Sequence, residues 1–106
     1  MPVVALVGDL MDRSKIAAAV PYASFASGPD ECADAGTVIV DVKAHPHAVA
    51  AARRIAPAAR IVAYGRHDDP EALAAARADG ADEVMPRSRF FHDPAAAIGG
   101  EEPFSR

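Results

Sequence analysis

The sequence predicts a small doubly wound α/β domain on a parallel five-stranded sheet, and three features carry that prediction. Short runs rich in β-branched residues fall at 3–7, 37–42, 60–64 and 83–85, and most lack the polar alternation of a strand with one face in water, so they read as strands buried on both faces. Stretches of helical composition lie between them at 12–20, 30–35, 47–56 and 69–78, so strand and helix alternate. A length of 106 residues accommodates one such domain.

Each element has its local reason. The first run ends at Gly8-Asp9, and either Asp9 or Asp12 can cap the helix that follows. The segment 23–27 supplies a fifth strand, and Pro57 stops the third helical stretch. The stretch at 69–78 has the clearest boundaries: Asp69 as cap, Pro70 at the first helical position, Glu71 near the positive helix end and Gly80 just past the last turn. Beyond Met85, the pair Asp93-Pro94 starts a last helix that has only Ala95 to Ile98 to run through, so this helix is short. The domain spans 1–98, and 99–106 reads as a loose tail in which Phe104 is an isolated aromatic.

Composition narrows the function classes. Alanine supplies 26 residues against 28 larger apolar ones, which favours helix but leaves a thin core that self-association would reinforce. A net charge of −4 without a basic cluster argues against nucleic acid or an anionic membrane as partner. The single Cys32 excludes internal disulfides, zinc ribbons and iron–sulfur clusters and fits a cytoplasmic location; its acidic neighbours Asp30, Glu31 and Asp34 raise a thiol pKa, which argues against a nucleophile. The N-terminal run predicts neither a secretion signal nor a membrane span. No glycine-rich phosphate cradle is present, so nucleotide cofactors are not expected.

In open α/β sheets the chemistry sits at the carboxyl ends of the strands, which here read Gly8-Asp9, Asp41, Gly65 and Arg87. Two carboxylates meeting there can bind magnesium, and one can accept a phosphoryl group; the competing reading makes them strand-end polar residues and helix caps. His45 and His47 beside Asp41 form a possible metal pair, although a loop HxH without a third histidine is more often plain loop sequence.

Val38-Ile39-Val40-Asp41-Val42, Ile61-Val62-Ala63-Tyr64-Gly65, Asp68-Asp69-Pro70-Glu71 and Gly80-Ala81-Asp82-Glu83-Val84-Met85-Pro86-Arg87 together resemble the receiver domain of two-component response regulators, a CheY-like, flavodoxin-like fold. The resemblance runs from Val3 to about Phe90 and is most specific in the second half, where Gly-Ala-Asp precedes the last strand and 22 residues separate Gly65 from Arg87. It implies that Asp41 stands at the phosphoacceptor position and Asp9 at the second of two magnesium-binding acids, with Gly8 at the first. It also implies that Gly65 replaces a hydroxyl-bearing switch residue, Arg87 a lysine, Ser88 a proline and Val84 an aromatic. The 32 residues from Asp9 to Asp41 and the short 43–47 loop also depart from the family, so the chain is similar to an atypical or pseudo-receiver.

These replacements lead to a specific expectation. Loss of one carboxylate weakens magnesium, and the planar, always-charged fork of Arg87 takes its place by clasping Asp41, Asp9 or both. The sequence thus predicts a degenerate receiver-like domain in bacterial signalling that binds protein partners without cofactor or catalysis. A working receiver, with Asp41 phosphorylated and Mg2+ held by Asp9 and Asp41, is the alternative, and a small enzyme or metal module using Asp9, Asp41, His45 and His47 is a minor one. Phe90 and Phe91, next to the short last helix, are the expected contact residues of a twofold dimer.

Overall fold

The computed structural model describes residues 2–99; of the expected tail, 99–106, Gly99 is the last residue of a helix and the rest, with Phe104, lies outside the described residues. Five strands, β1 (Val3–Leu6), β2 (Ala23–Phe25), β3 (Thr37–Asp41), β4 (Arg60–Gly65) and β5 (Glu83–Pro86), form one sheet in the order β2-β1-β3-β4-β5, with every pairing parallel. The doubly wound five-stranded sheet read from the sequence is therefore the observed one. Five helices accompany it: α1 (Leu10–Ala19), α2 (Ala48–Ile55), α3 (Pro70–Ala78), α4 (Arg87–His92) and α5 (Pro94–Gly99).

The two faces of the sheet are packed with different materials. On one face Val4, Leu6, Val38, Val40, Ile61 and Ala63 meet α2 and α3 through Ala48, Val49, Ala52 and Ala76. Small side chains let these helices approach closely, at the cost of little apolar area per residue. On the other face Ala5, Val7, Ile39, Val62 and Tyr64 meet Ile16 of α1, Phe90 of α4 and Ile98 of α5. Tyr64 and Phe90 are the largest fully buried side chains and stack with ring centroids 4.7 Å apart, so bulk is concentrated here.

One element differs from expectation. Between β2 and β3 the predicted helix is reduced to a 3-10 turn, Pro29–Cys32. After β5 the chain forms α4, a helix without a side-chain cap, which brings Phe90 and Phe91 back over Tyr64. The last helix, α5, is short as expected at six residues.

Caps and one arginine complete the frame. Asp69 accepts from the Ala72 N–H at 3.1 Å with Pro70 following, and Gly80 takes the positive φ of 113° that ends α3. Arg53, in the last turn of α2, donates to the carbonyls of Pro57, Ala59 and Gly80 and to Asp82, tying the loops at the amino end of β4 and β5. Among the described residues no helix is long and apolar enough to cross a membrane.

Candidate functional site

Strand register decides which residues meet at the carboxyl end of the sheet. Leu6 pairs with Val40, Asp41 with Tyr64 and Gly65 with Pro86, so the residues just beyond β1, β3, β4 and β5 come out level. They surround a cavity of about 540 Å³ whose charged lining is Asp9, Asp12, Asp41, Lys43, Arg66 and Arg87, with Gly8, Ala44, Tyr64 and Gly65 between them. All four strand-end positions singled out in the sequence, Gly8-Asp9, Asp41, Gly65 and Arg87, are thus brought together.

Their pairing differs from expectation. Arg87 clasps neither Asp41 nor Asp9: its Nη1 and Nη2 donate to Oδ2 and Oδ1 of Asp12 at 2.8 and 2.7 Å. The Tyr64 hydroxyl donates to the same Asp12 Oδ2 at 3.0 Å. Asp12 reaches this position because it lies one turn before Ile16 on the inward stripe of α1, and it is 1% exposed. The Arg87 guanidinium also lies over the rings of Phe91 and Tyr64, 5.0 and 5.8 Å from their centroids.

Electrostatics follow from this geometry. The Arg87 guanidinium holds the Asp12 carboxyl below its ordinary value, overcoming burial, which pushes it up. Burial, then the nearby carboxylates of Asp41 and Asp12, push the Tyr64 phenol far above its usual range, so it remains a hydrogen-bond donor. Asp12 in turn raises the pKa of Arg87. At the cavity edge Arg66 pairs with exposed Asp68 at 2.8 Å and draws that carboxyl down to about 2.

The other predicted residues take plainer positions. Asp9 is exposed and caps α1, its Oδ1 accepting from the Asp12 N–H at 3.0 Å. Asp41 is 7% exposed, and its Oδ1 accepts from the Lys43 backbone N–H at 3.1 Å. Gly65 is closed to larger residues: a Cβ there would sit 2.7 Å from Val42 Cγ2 and 3.1 Å from Leu73 Cδ2. Buried Val42 has little rotamer freedom to withdraw, so the absent hydroxyl is matched by a filled space.

Phe90 is fully buried, which corrects its assignment as a contact residue; it belongs to the core under Tyr64, and Phe91 packs at its edge, half-buried, 4.9 Å away. Their helix α4 packs against β4, β5 and α5. His45 turns back to Asp41 through a backbone hydrogen bond of 2.9 Å, and His47 precedes α2. Cys32 is buried, and that burial, more than Glu31 and Asp30, pushes its thiol up.

Among the described residues no three of His, Cys, Asp and Glu converge to hold a metal ion. Asp12 is taken by Arg87, Asp9 caps a helix, and Gly8 offers no ligand. The carboxylates left on the cavity are those of Asp9 and Asp41.

Asp12 and Tyr64 are the site residues that sequence reasoning missed. The usable signals were an acid on the inward stripe of α1, four residues before Ile16, and a phenol at the end of an otherwise apolar strand.

No protein-family model and no curated protein sequence matches the chain. Among solved structures it is similar to a response regulator protein from Burkholderia pseudomallei whose crystal structure holds a phosphorylated aspartic acid, a calcium ion and citrate. The TM-score is 0.69 at 18% sequence identity, covering 91% of this chain and 64% of that one. The fold is that of a response-regulator receiver, a flavodoxin-like five-stranded sheet, and the chain spans less than two thirds of that neighbour's length.

Proposed function

We propose that this chain is a receiver-fold regulatory module of bacterial signalling that acts through protein contacts, without catalysis and without phosphorylation. The observation that carries the reading is the commitment of Arg87. At the position where the resemblance places a lysine, both terminal nitrogens of Arg87 are spent on Asp12, and Tyr64 braces the pair. A phosphoryl group on Asp41 needs a cation free to neutralise it, and this one is held elsewhere. Gly65, packed against Val42 and Leu73, supports the same reading, because no hydroxyl can enter there to follow a phosphoryl group without moving its neighbours.

A second reading is favoured by one feature. Asp41 lies at the end of β3, in the cavity, where the resemblance puts a phosphoacceptor, and the similar Burkholderia protein holds a phosphorylated aspartic acid. The two readings separate in an amide NMR titration of the wild type and Asp41→Asn with magnesium and beryllofluoride, a mimic of the aspartyl phosphate. We expect no saturable response from either folded protein. Saturable shifts at Asp9, Asp41 and Arg87 in the wild type alone overturn the proposal in favour of a working receiver.

A further inference from the structure

We propose that the cavity is a socket for one basic side chain, arginine or lysine, that a partner protein presents between apolar neighbours. This rests on the reading of Asp41 as unphosphorylated, since its free carboxylate is what the socket offers.

Asp41 lines the cavity with 93% of its surface out of water, yet its only donor among the described residues is one neutral backbone N–H, on Oδ1. No donor among those residues reaches Oδ2, an atom that keeps contact with solvent in the cavity. Carboxylates this far from solvent are ordinarily paired with a cation or with several donors. No side-chain cation on the lining donates a hydrogen bond to it: Arg87 donates to Asp12 and attracts Asp41 only through space, Arg66 pairs with Asp68, and Lys43 is an exposed residue that gives Asp41 its backbone N–H. A solvent-facing Oδ2 can take a further partner from outside, and a guanidinium or ammonium group has the charge and the donors that it lacks.

The cavity has room for it. Its volume is about 540 Å³, and nothing lies within 4 Å of where a Cβ on Gly8 would be. The first turn of α1 indicates a protein as the bearer of the charge. Leu10 and Met11, between the cavity residues Asp9 and Asp12, are 77% and 68% exposed. Two consecutive large apolar side chains in water, next in sequence to cavity residues, match a contact in which apolar flanks seal a central basic anchor on Asp41 from solvent. The net charge of −4 favours approach of a basic segment.

The test uses three probes followed by amide NMR on the full chain: a blocked peptide with one arginine flanked by leucines, the same peptide with glutamine in the centre, and ethylguanidinium as the bare head group. The arginine peptide is expected to shift Gly8, Asp41 and Gly65 saturably and to bind at least about tenfold tighter than either other probe. Asp41→Asn should abolish the preference for arginine over glutamine. Replacing Leu10→Ser and Met11→Ser together should reduce the peptide to the affinity of ethylguanidinium.

Equal binding of the arginine and glutamine peptides, or no saturable shift, overturns the proposal, and this comparison needs no variant to fold. A preference that survives Asp41→Asn overturns it as well. Ethylguanidinium binding as tightly as the peptide overturns the protein-partner class in favour of a small cation. The beryllofluoride titration separates the two levels: a saturable response there removes the unphosphorylated reading and the socket with it, whereas failed peptides without that response remove the socket alone.

Discussion

Asp12 and Asp41 line the same cavity, each with less than a tenth of its surface exposed, and the fold treats them in opposite ways. At the start of α1, Asp12 receives three donated hydrogen bonds from Arg87 and Tyr64, beneath a cluster of three aromatic rings. At the end of β3, Asp41 receives one, from a backbone N–H. The first arrangement closes on itself and joins α1 to α4 across 75 positions of sequence. The second leaves capacity for something else. The same residue type is structural where its charge is met within the chain and available for binding where it is not.

The largest expected effect breaks the closed side. Asp12→Ala leaves the Tyr64 hydroxyl and the Arg87 fork without an acceptor. Because the Arg87 side chain is 42% exposed and can turn toward water, the expected cost is about 2–3 kcal/mol, below that of a fully enclosed pair, measured by urea unfolding.

The next effect is read in acid. The folded-state pKa of Asp12 lies below its unfolded value, so the contribution of the network is complete at pH above the ordinary carboxylate range and is lost as pH falls through the folded value. Unfolding midpoints of wild type and Asp12→Asn should therefore converge as the solution is acidified. Curves that stay parallel down to the lowest pH would show that Arg87 does not hold the Asp12 charge.

The smallest effect sharpens the contrast. Asp41→Asn keeps the shape and the acceptor for the Lys43 N–H while removing a charge that no side chain among the described residues hydrogen-bonds, that Arg87 attracts from a distance and that Oδ2 presents to solvent. Stability should change by no more than about 0.5 kcal/mol. A loss comparable to that of Asp12→Ala would mean that Asp41 also belongs to the internal framework.

Much of the fold was legible because its signals are local. Parallel strands buried on both faces are apolar runs such as Val38-Ile39-Val40, and α3 carries its boundaries in Asp69, Pro70 and Gly80. α4 was not legible. Arg87-Ser88-Arg89-Phe90-Phe91-His92 has neither a side-chain cap nor strong helix formers through its length, and its helical turn sets Phe90 beneath Tyr64, a partner on another strand. The site divides in the same way. That Gly8-Asp9, Asp41, Gly65 and Arg87 would gather followed from strand ends, whereas the closed packing of Gly65 against Val42 and Leu73 did not.

By itself the sequence determined the sheet, the alternation of strand and helix, and the fact that Arg87 stands among several acids at one end. Burial patterns, caps and side-chain chemistry are properties of a residue and its near neighbours. Only the tertiary structure decided that Arg87 takes Asp12 and leaves Asp41. That choice depends on distances between elements far apart in sequence: the inward stripe of α1 carries Asp12 to the Tyr64 hydroxyl, and α4 starts where its first residue reaches both. A charge pairs with the acid that packing brings within 3 Å, and packing is a property of the whole chain.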